Sequence, residues 1–241
     1  MIRSIALFLF LIPAMMFAQN LIPNPGFEQK NGCPDRPGQI TLADYWASPT
    51  IATPDYFNDC STGMDYGTEF NKKGGQVAHG GKAYAGLQFY HLSRNEYYEY
   101  MQTRLDSGLV AGQLYCIKAY VSLGKADYAF KELGAVLSVN EVKSADAHKF
   151  KLPYTVLENG KYLLDEDQWM CISGIYKSKG NERLLTIGSF SPKDEFWNIH
   201  TRSATDSLFK STFYFIDDVS LEAIRDSSEC GCLEKKLKIK N

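Results

Sequence analysis

Apolar and polar residues alternate with a period of two along much of the chain, the pattern of half-buried β-strands. Between Lys82 and Tyr90, Ala83, Ala85, Leu87 and Phe89 make one face, and Tyr84, Gln88 and Tyr90 make the other. The stretch Tyr97 to Leu105 puts Tyr98, Tyr100, Gln102 and Arg104 together. From Gln113 to Leu123, Tyr115, Ile117, Ala119, Val121 and Leu123 point inward, while Cys116, Lys118, Tyr120 and Ser122 face the other way. Further strands are predicted over 133–139, 169–177, 183–190 and 213–221, with Gly, Asn, Asp and Ser in the linkers, as turns require. No stretch carries a long helical period. The pattern predicts an all-β sandwich of roughly eight or more strands in one domain.

The last strand poses a problem. Read with period two, Phe213, Phe215, Asp217, Val219 and Leu221 share a face, which leaves Asp217 on the more apolar side. A buried carboxylate must be paired, hydrogen-bonded or bound to a cation. The segment Asn20 to Glu28, NLIPNPGFE, is extended, and its prolines bar it from a central strand. First and last strands of a sandwich are commonly neighbours, so Glu28 is expected near Asp217. A hard cation such as Ca²⁺ would reconcile the two carboxylates, with carbonyls from the turn His79-Gly80-Gly81-Lys82 filling its shell. The other reading has each carboxylate met by backbone N–H groups or a nearby Lys.

Composition narrows the class. Hydrophobic residues make up 44% of the 241, enough for a real core, and the 15 Tyr and 14 Phe favour strands. A net charge of -2 gives no electrostatic case for nucleic acid. Residues 29–80 are rich in Pro and Gly, but Tyr45, Trp46, Tyr56, Phe57 and Tyr66 argue against disorder there. Residues 1–18 read as a secretory signal: Arg3, a short apolar run from Ile5 to Ile12, Pro13, and Ala18 before the cut. The expected organisation is signal 1–18, binding domain 19–224 and a polar tail 225–241, placing the protein outside the cell or at its surface. Export permits disulfides. Cys33 and Cys60, both in loop sequence, are the favoured pair; Cys116 and Cys171 read as buried thiols, and Cys230-Gly231-Cys232 is left open between a local disulfide and a bridge to another chain.

Candidate chemistry points to binding rather than catalysis. Tyr rings interleaved with amides and charges combine apolar area with hydrogen bonding, which suits a saccharide and equally a solvated sheet face. His79, His91, His148 and His200 fall in or near turn-like sequence, and neither a metalloprotease nor a serine-hydrolase motif occurs. The run Asp165/Glu166/Asp167 reads as a solvent-facing turn. No enzyme activity is expected. A hydrolase would need two carboxylates facing one cleft, roughly 5–10 Å apart.

NLIPNPGFE, HGGKAYAGL and FYFIDDVSL together resemble carbohydrate-binding modules of families 4, 9 and 22, within the galactose-binding-like jelly rolls. PTIATPDYFNDC, YYEYMQTRL, LYCIKAYVSL and the stretch from Trp169 to Gly174 are similar to a secreted Bacteroidetes domain that often precedes an OmpA-like domain. The resemblance covers Asn20 to Leu221 and implies a two-sheet jelly-roll β-sandwich with a structural Ca²⁺. The ligands it implies are Gly26 and Lys82 through their carbonyls, with Glu28, His79 and Asp217. From the residues themselves, Tyr90, Tyr100, Gln102, Lys118 and Tyr120 are expected on a concave binding sheet, with Trp46, Tyr56 and Trp197 at its rim. The expected partner is a cell-surface or extracellular polysaccharide. The alternative is a cell-envelope or adhesion component that binds a protein.

Overall fold

A computed structural model of the chain describes residues 19–63, 65–91, 97–126, 128–191 and 211–232. The expected signal segment, Trp197 and the Lys-rich end lie outside these residues. The described strands are β1 (Trp46–Ala47), β2 (Asp55–Asn58), β3 (Ala83–His91), β4 (Tyr100–Arg104), β5 (Leu114–Leu123), β6 (Leu133–Ser138), β7 (Thr155–Leu157), β8 (Met170–Lys177), β9 (Leu184–Gly188) and β10 (Ser211–Ile224). They form two five-stranded antiparallel sheets, ordered β1-β4-β9-β6-β7 and β2-β3-β10-β5-β8. This is the expected all-β, two-sheet sandwich. Each long strand lies where the alternation placed it; β1, β2 and β7 are too short to show a period.

The main core lies between the sheets. Ala83, Ala85, Leu87 and Phe89 of β3 meet Tyr115, Ile117, Ala119 and Val121 of β5, with Met101, Leu133, Leu185 and Ile187 from the facing sheet. Tyr214 reaches across this core: its hydroxyl accepts from Phe130 N–H (2.9 Å) and donates to Leu163 O (2.9 Å).

One expectation about β10 is corrected. Tyr214, Ile216, Val219 and Leu221 face the main core, whereas Phe213 and Phe215 belong to a separate cluster with Phe57, Tyr66 and Tyr84. The face read as continuous switches at a β-bulge. Asp217 pairs with Tyr120 and Ser220 with Lys118, so Asp218 and Val219 together oppose Ala119. Asp218 adopts φ 45°, and the extra residue inverts the alternation. Asp217 therefore lies with Phe213 and Phe215 on the outer side of its sheet, under the turn at residues 79–82.

Both outer faces are covered in part by loops. On the first sheet, Phe150, Leu152 and Tyr154 pack over Tyr98, Tyr100, Val136 and Phe190. On the second, the segment around residues 59–79 packs over Phe57, Tyr84, Phe213 and Phe215, fastened where the Tyr84 hydroxyl donates to Thr68 O (2.7 Å).

Three disulfides hold the periphery. Cys33–Cys60 joins the N-terminal loop to the end of β2, the expected pair. Cys116–Cys230 and Cys171–Cys232 overturn the buried-thiol reading. Cys116 and Cys171 stand on the same outer face, two register positions either side of Lys118↔Ser173, and the residues after β10 double back along that face to meet them. No helix among the described residues is long and apolar enough to cross a membrane.

Candidate functional site

The strand β3 has Asp55 and Glu99 beside it. Asp55 opens β2 and pairs with Gly86. Glu99 sits just before β4: its N–H donates to Gln88 O (2.9 Å), and its carboxylate Oε2 accepts Gln88 N–H (2.7 Å). Gly86 and Gln88 are two residues apart, so the carboxylates attach at same-facing positions separated by about 7 Å along the strand. Gly86 permits the crowding there, because a Cβ on it would lie 2.7 Å from Phe57 Cε2.

These residues line a pocket of about 260 Å³, with Thr53, Phe57, Asp65, Tyr66, Lys73, Gln88 and Tyr97 among its walls. Asp55 and Glu99 are each only 5% exposed. Glu99 Oε1 accepts from the Tyr97 hydroxyl (3.0 Å) and, at 3.5 Å, from Thr53 Oγ1. Asp55 Oδ1 accepts Gly38 N–H (2.8 Å), while Oδ2 takes no hydrogen bond from any described residue. Burial and, next, the charge of Asp55 push the Glu99 carboxyl up to about 8. Burial raises Asp55 too, and Lys73 partly opposes both shifts. Two adjacent buried carboxylates resist ionising together, so the pair titrates as a unit. Lys73 stands over the Phe213 ring (4.5 Å) and 3.5 Å from Gln88 Oε1. Lys72 pairs with Asp65 (2.6 Å) at the mouth.

The acidic corner behind β10 is separate. Asp217 is fully buried, and its carboxylate accepts three backbone N–H groups: His79 (2.9 Å) and Gly80 (3.1 Å) at Oδ2, Asp218 (2.7 Å) at Oδ1. Burial, then the neighbouring Asp218 charge, pushes Asp217 up to about 8. Glu28 Oε1 accepts Lys82 N–H (2.7 Å). Asp218, Asp217 and Glu28 all lie around Gly26: a Cβ there would lie 3.1 Å from Asp218 Oδ1, 3.7 Å from Asp217 Oδ1 and 3.9 Å from Glu28 Cγ. The His79 ring is held by Asp218 Oδ2 (2.6 Å) and stacks on Tyr120 at 3.6 Å. No group of three His, Cys, Asp or Glu side chains among the described residues is placed to hold one metal ion.

The residues expected on one binding face are divided by the fold. Tyr100 and Gln102 belong to the first sheet; Tyr90, Lys118 and Tyr120 belong to the second. Tyr100 is fully buried, its hydroxyl donating to Ser189 O (2.7 Å) and accepting Phe150 N–H (3.1 Å). Gln102 is buried as well, and its amide donates to Val142 O (2.9 Å). Neither rim aromatic within the described residues is at a rim. Trp46 is 3% exposed, packs on Phe27 and donates from Nε1 to Asn24 O (2.8 Å); Tyr56 is fully buried with its hydroxyl on Phe27 O (3.0 Å). Their polar tips are used to tie the N-terminal segment to the core. Lys118 and Tyr120 remain half-buried on the outer face of the second sheet. No sequence motif marks Asp55, Glu99, Lys73 or Tyr97. The available signal was a carboxylate set among aromatic strand residues, in PDYFN and YYEY, the same anomaly that drew attention to Asp217.

No protein-family model matches the chain, and no curated protein does. Solved structures similar to it include the CBM22-1 xylan-binding domain of Paenibacillus barcinonensis Xyn10C, at 12% identity over 84% of this chain and 93% of that one, TM-score 0.45. The K3 cleaved adhesin domain of Lys-gingipain from Porphyromonas gingivalis W83 shows 12% identity over 86% and 99%, TM-score 0.39. A CBM4 structure shows 10% identity over 84% and 99%, TM-score 0.36.

Proposed function

We propose that this chain is a secreted, non-catalytic glycan-binding module whose ligand occupies the pocket beside β2 and β3. The supporting observation is the makeup of that pocket. Tyr66 and Tyr97 contribute rings, and Asp55, Gln88, Glu99 and the Tyr97 hydroxyl contribute hydrogen-bonding groups at the same opening. Saccharides offer apolar C–H faces and rows of hydroxyls, so a site for them needs both kinds of surface together. Asp55 Oδ2, which takes no hydrogen bond among the described residues, is a ready acceptor for a sugar hydroxyl. The three disulfides fit an oxidising compartment.

A structural Ca²⁺ at the corner behind β10 is part of the same reading. Glu28 and Asp217 supply hard oxygen donors, no Lys or Arg side chain among the described residues bonds to either, and carbonyls of Gly26 and Lys82 would complete the shell with water. The ion would offset the buried charge of Asp217 and fix the N-terminal segment to β10. The His79 ring, held by Asp218 and Tyr120, is left out of this set.

The test is a glycan-array screen of the mature protein, with Ca²⁺ and with chelator. Selective binding to one glycan class, lost in Asp55→Asn, is the expected result. A chelator should lower the melting temperature. A folded protein that binds no glycan would move the assignment to a protein-binding envelope component.

A further inference from the structure

We propose that the pocket beside β3 recognises a primary ammonium group, so that its saccharide is an amino sugar. This rests on the glycan-binding reading and goes beyond it by naming the chemical class.

The argument starts from charge. Asp55, Glu99 and Asp65 face the pocket against Lys72 and Lys73. Lys72 is held by Asp65 at the mouth, and Lys73 leans on the Phe213 ring and Gln88. The remaining groups, Thr53, Tyr97, Gln88, Ser211 and the Gly38 N–H, carry no charge at neutral pH. Among the described residues, two buried carboxylates thus face one lysine: with both ionised the site would carry an excess of one negative charge, which a retained proton offsets while no cation is bound. A neutral sugar would leave that proton in place.

An ammonium group fits better on donor count. It carries three N–H donors and no acceptor. Among the described residues Asp55 Oδ2 receives no donor, and Glu99 Oε1 receives the hydroxyls of Tyr97 and Thr53, which can rotate towards other partners. The two carboxylates are anchored by backbone N–H groups, from Gly38 and Gln88, so their positions are fixed before a ligand arrives. The rings of Tyr66 and Tyr97 can take the C–H face of the sugar or lie beside the cation. Without a ligand the pair holds one proton at neutral pH; an arriving ammonium replaces that proton, which leaves to buffer.

The experiment is isothermal titration of the full chain at about pH 6, using a short glucosamine oligosaccharide and its N-acetylated counterpart of equal length. The expected result is binding of the amine form tighter by about tenfold or more. Repeating the titration in two buffers of different ionisation enthalpy should show about one proton released per site. Asp55→Asn and, separately, Glu99→Gln should abolish the preference and the proton release, with near-UV circular dichroism confirming that each is folded. Should both variants fail to fold, the proton count in the unmodified protein still decides. Equal affinity for the two oligosaccharides, a preference for the acetylated one, or binding without proton release would overturn the ammonium proposal and leave glycan binding intact. If neither binds but another glycan does, the proposal falls alone. If no saccharide binds and a lysine-containing peptide does, both readings fall.

Discussion

Asp55 and Glu99 are buried beside β3, each accepting a backbone N–H, from Gly38 and Gln88 respectively. Holding them there stores a proton, and that has a measurable consequence. In the unfolded chain Glu99 titrates near its ordinary value of 4.5; in the folded chain burial and Asp55 move it to about 8. Between those values the native state binds more protons than the unfolded state, so stability is full below about 4.5 and declines as pH rises towards 8. The slope for one retained proton is at most about 1.4 kcal/mol per pH unit. Urea denaturation across this range should show the decline, and Glu99→Gln should lessen it, leaving the share of Asp217, whose carboxyl is also pushed up to about 8. An unchanged slope in Glu99→Gln would mean that the pair is not the source. At this scale the sequence was partly legible. Asp217 announced itself as a carboxylate in an apolar alternation, and three backbone N–H groups meet it. Asp55 and Glu99 did not, because β2 has four residues and Glu99 precedes β4, too little context for a period to define a face. The buried roles of Trp46, Tyr56 and Tyr100 were hidden for another reason. An aromatic ring with a polar tip reads alike whether that tip meets a ligand or a backbone carbonyl.

Among elements, β10 and the segment that follows it carry the most consequence. Alternation located the strand but not the bulge at Asp218 and Val219, which is set by register with β5 and leaves no mark in the period until the two strands are paired. Beyond Ile224 the chain turns back, through a short 3₁₀ turn at Ser227–Glu229, and is bonded to β5 by Cys230 and to β8 by Cys232. The closed loops span 114 and 61 residues, long enough that each bridge removes much unfolded-state freedom. Replacing Cys230 and Cys232 with Ser should lower stability by about 2–5 kcal/mol per bridge lost. It should also free Cys116 and Cys171 to an alkylating reagent, and expose residues 225–232 to protease while β10 stays protected. Mass spectrometry of the alkylated protein reads the thiols directly. Cys230→Ser alone should free Cys116 and leave Cys171 bonded, and labelling at Cys171 instead would mean that the bridges are paired differently.

The division of strands between sheets is a property of the whole molecule, and here the pattern of residues says least. Alternation marks two faces of a strand but does not say which sheet it joins, so Tyr100 and Gln102 were grouped with Lys118 and Tyr120 although the core separates them. The order β2-β3-β10-β5-β8 places the last strand between two earlier ones. Tyr214, Phe215 and Ile216 pair with both β3 and β5, and the N-terminal segment is fixed to the same strand by Leu21 N–H on Leu221 O (2.9 Å) and Val219 N–H on Pro25 O (2.9 Å). The second sheet therefore cannot be assembled from the chain before residue 211: β2-β3 and β5-β8 would remain as separate two-stranded pairs, each marginal alone. A chain ending at residue 210 should lack near-UV circular dichroism and a cooperative melt. A chain ending at Ile224, which keeps β10 and loses two disulfides, should fold with a lowered melting temperature. The contrast between the two separates the contribution of strand pairing from that of the covalent staples. If the shorter chain melted cooperatively, the first sheet and its loops would form a folding unit of their own, and β10 would be an addition to the sandwich rather than its centre.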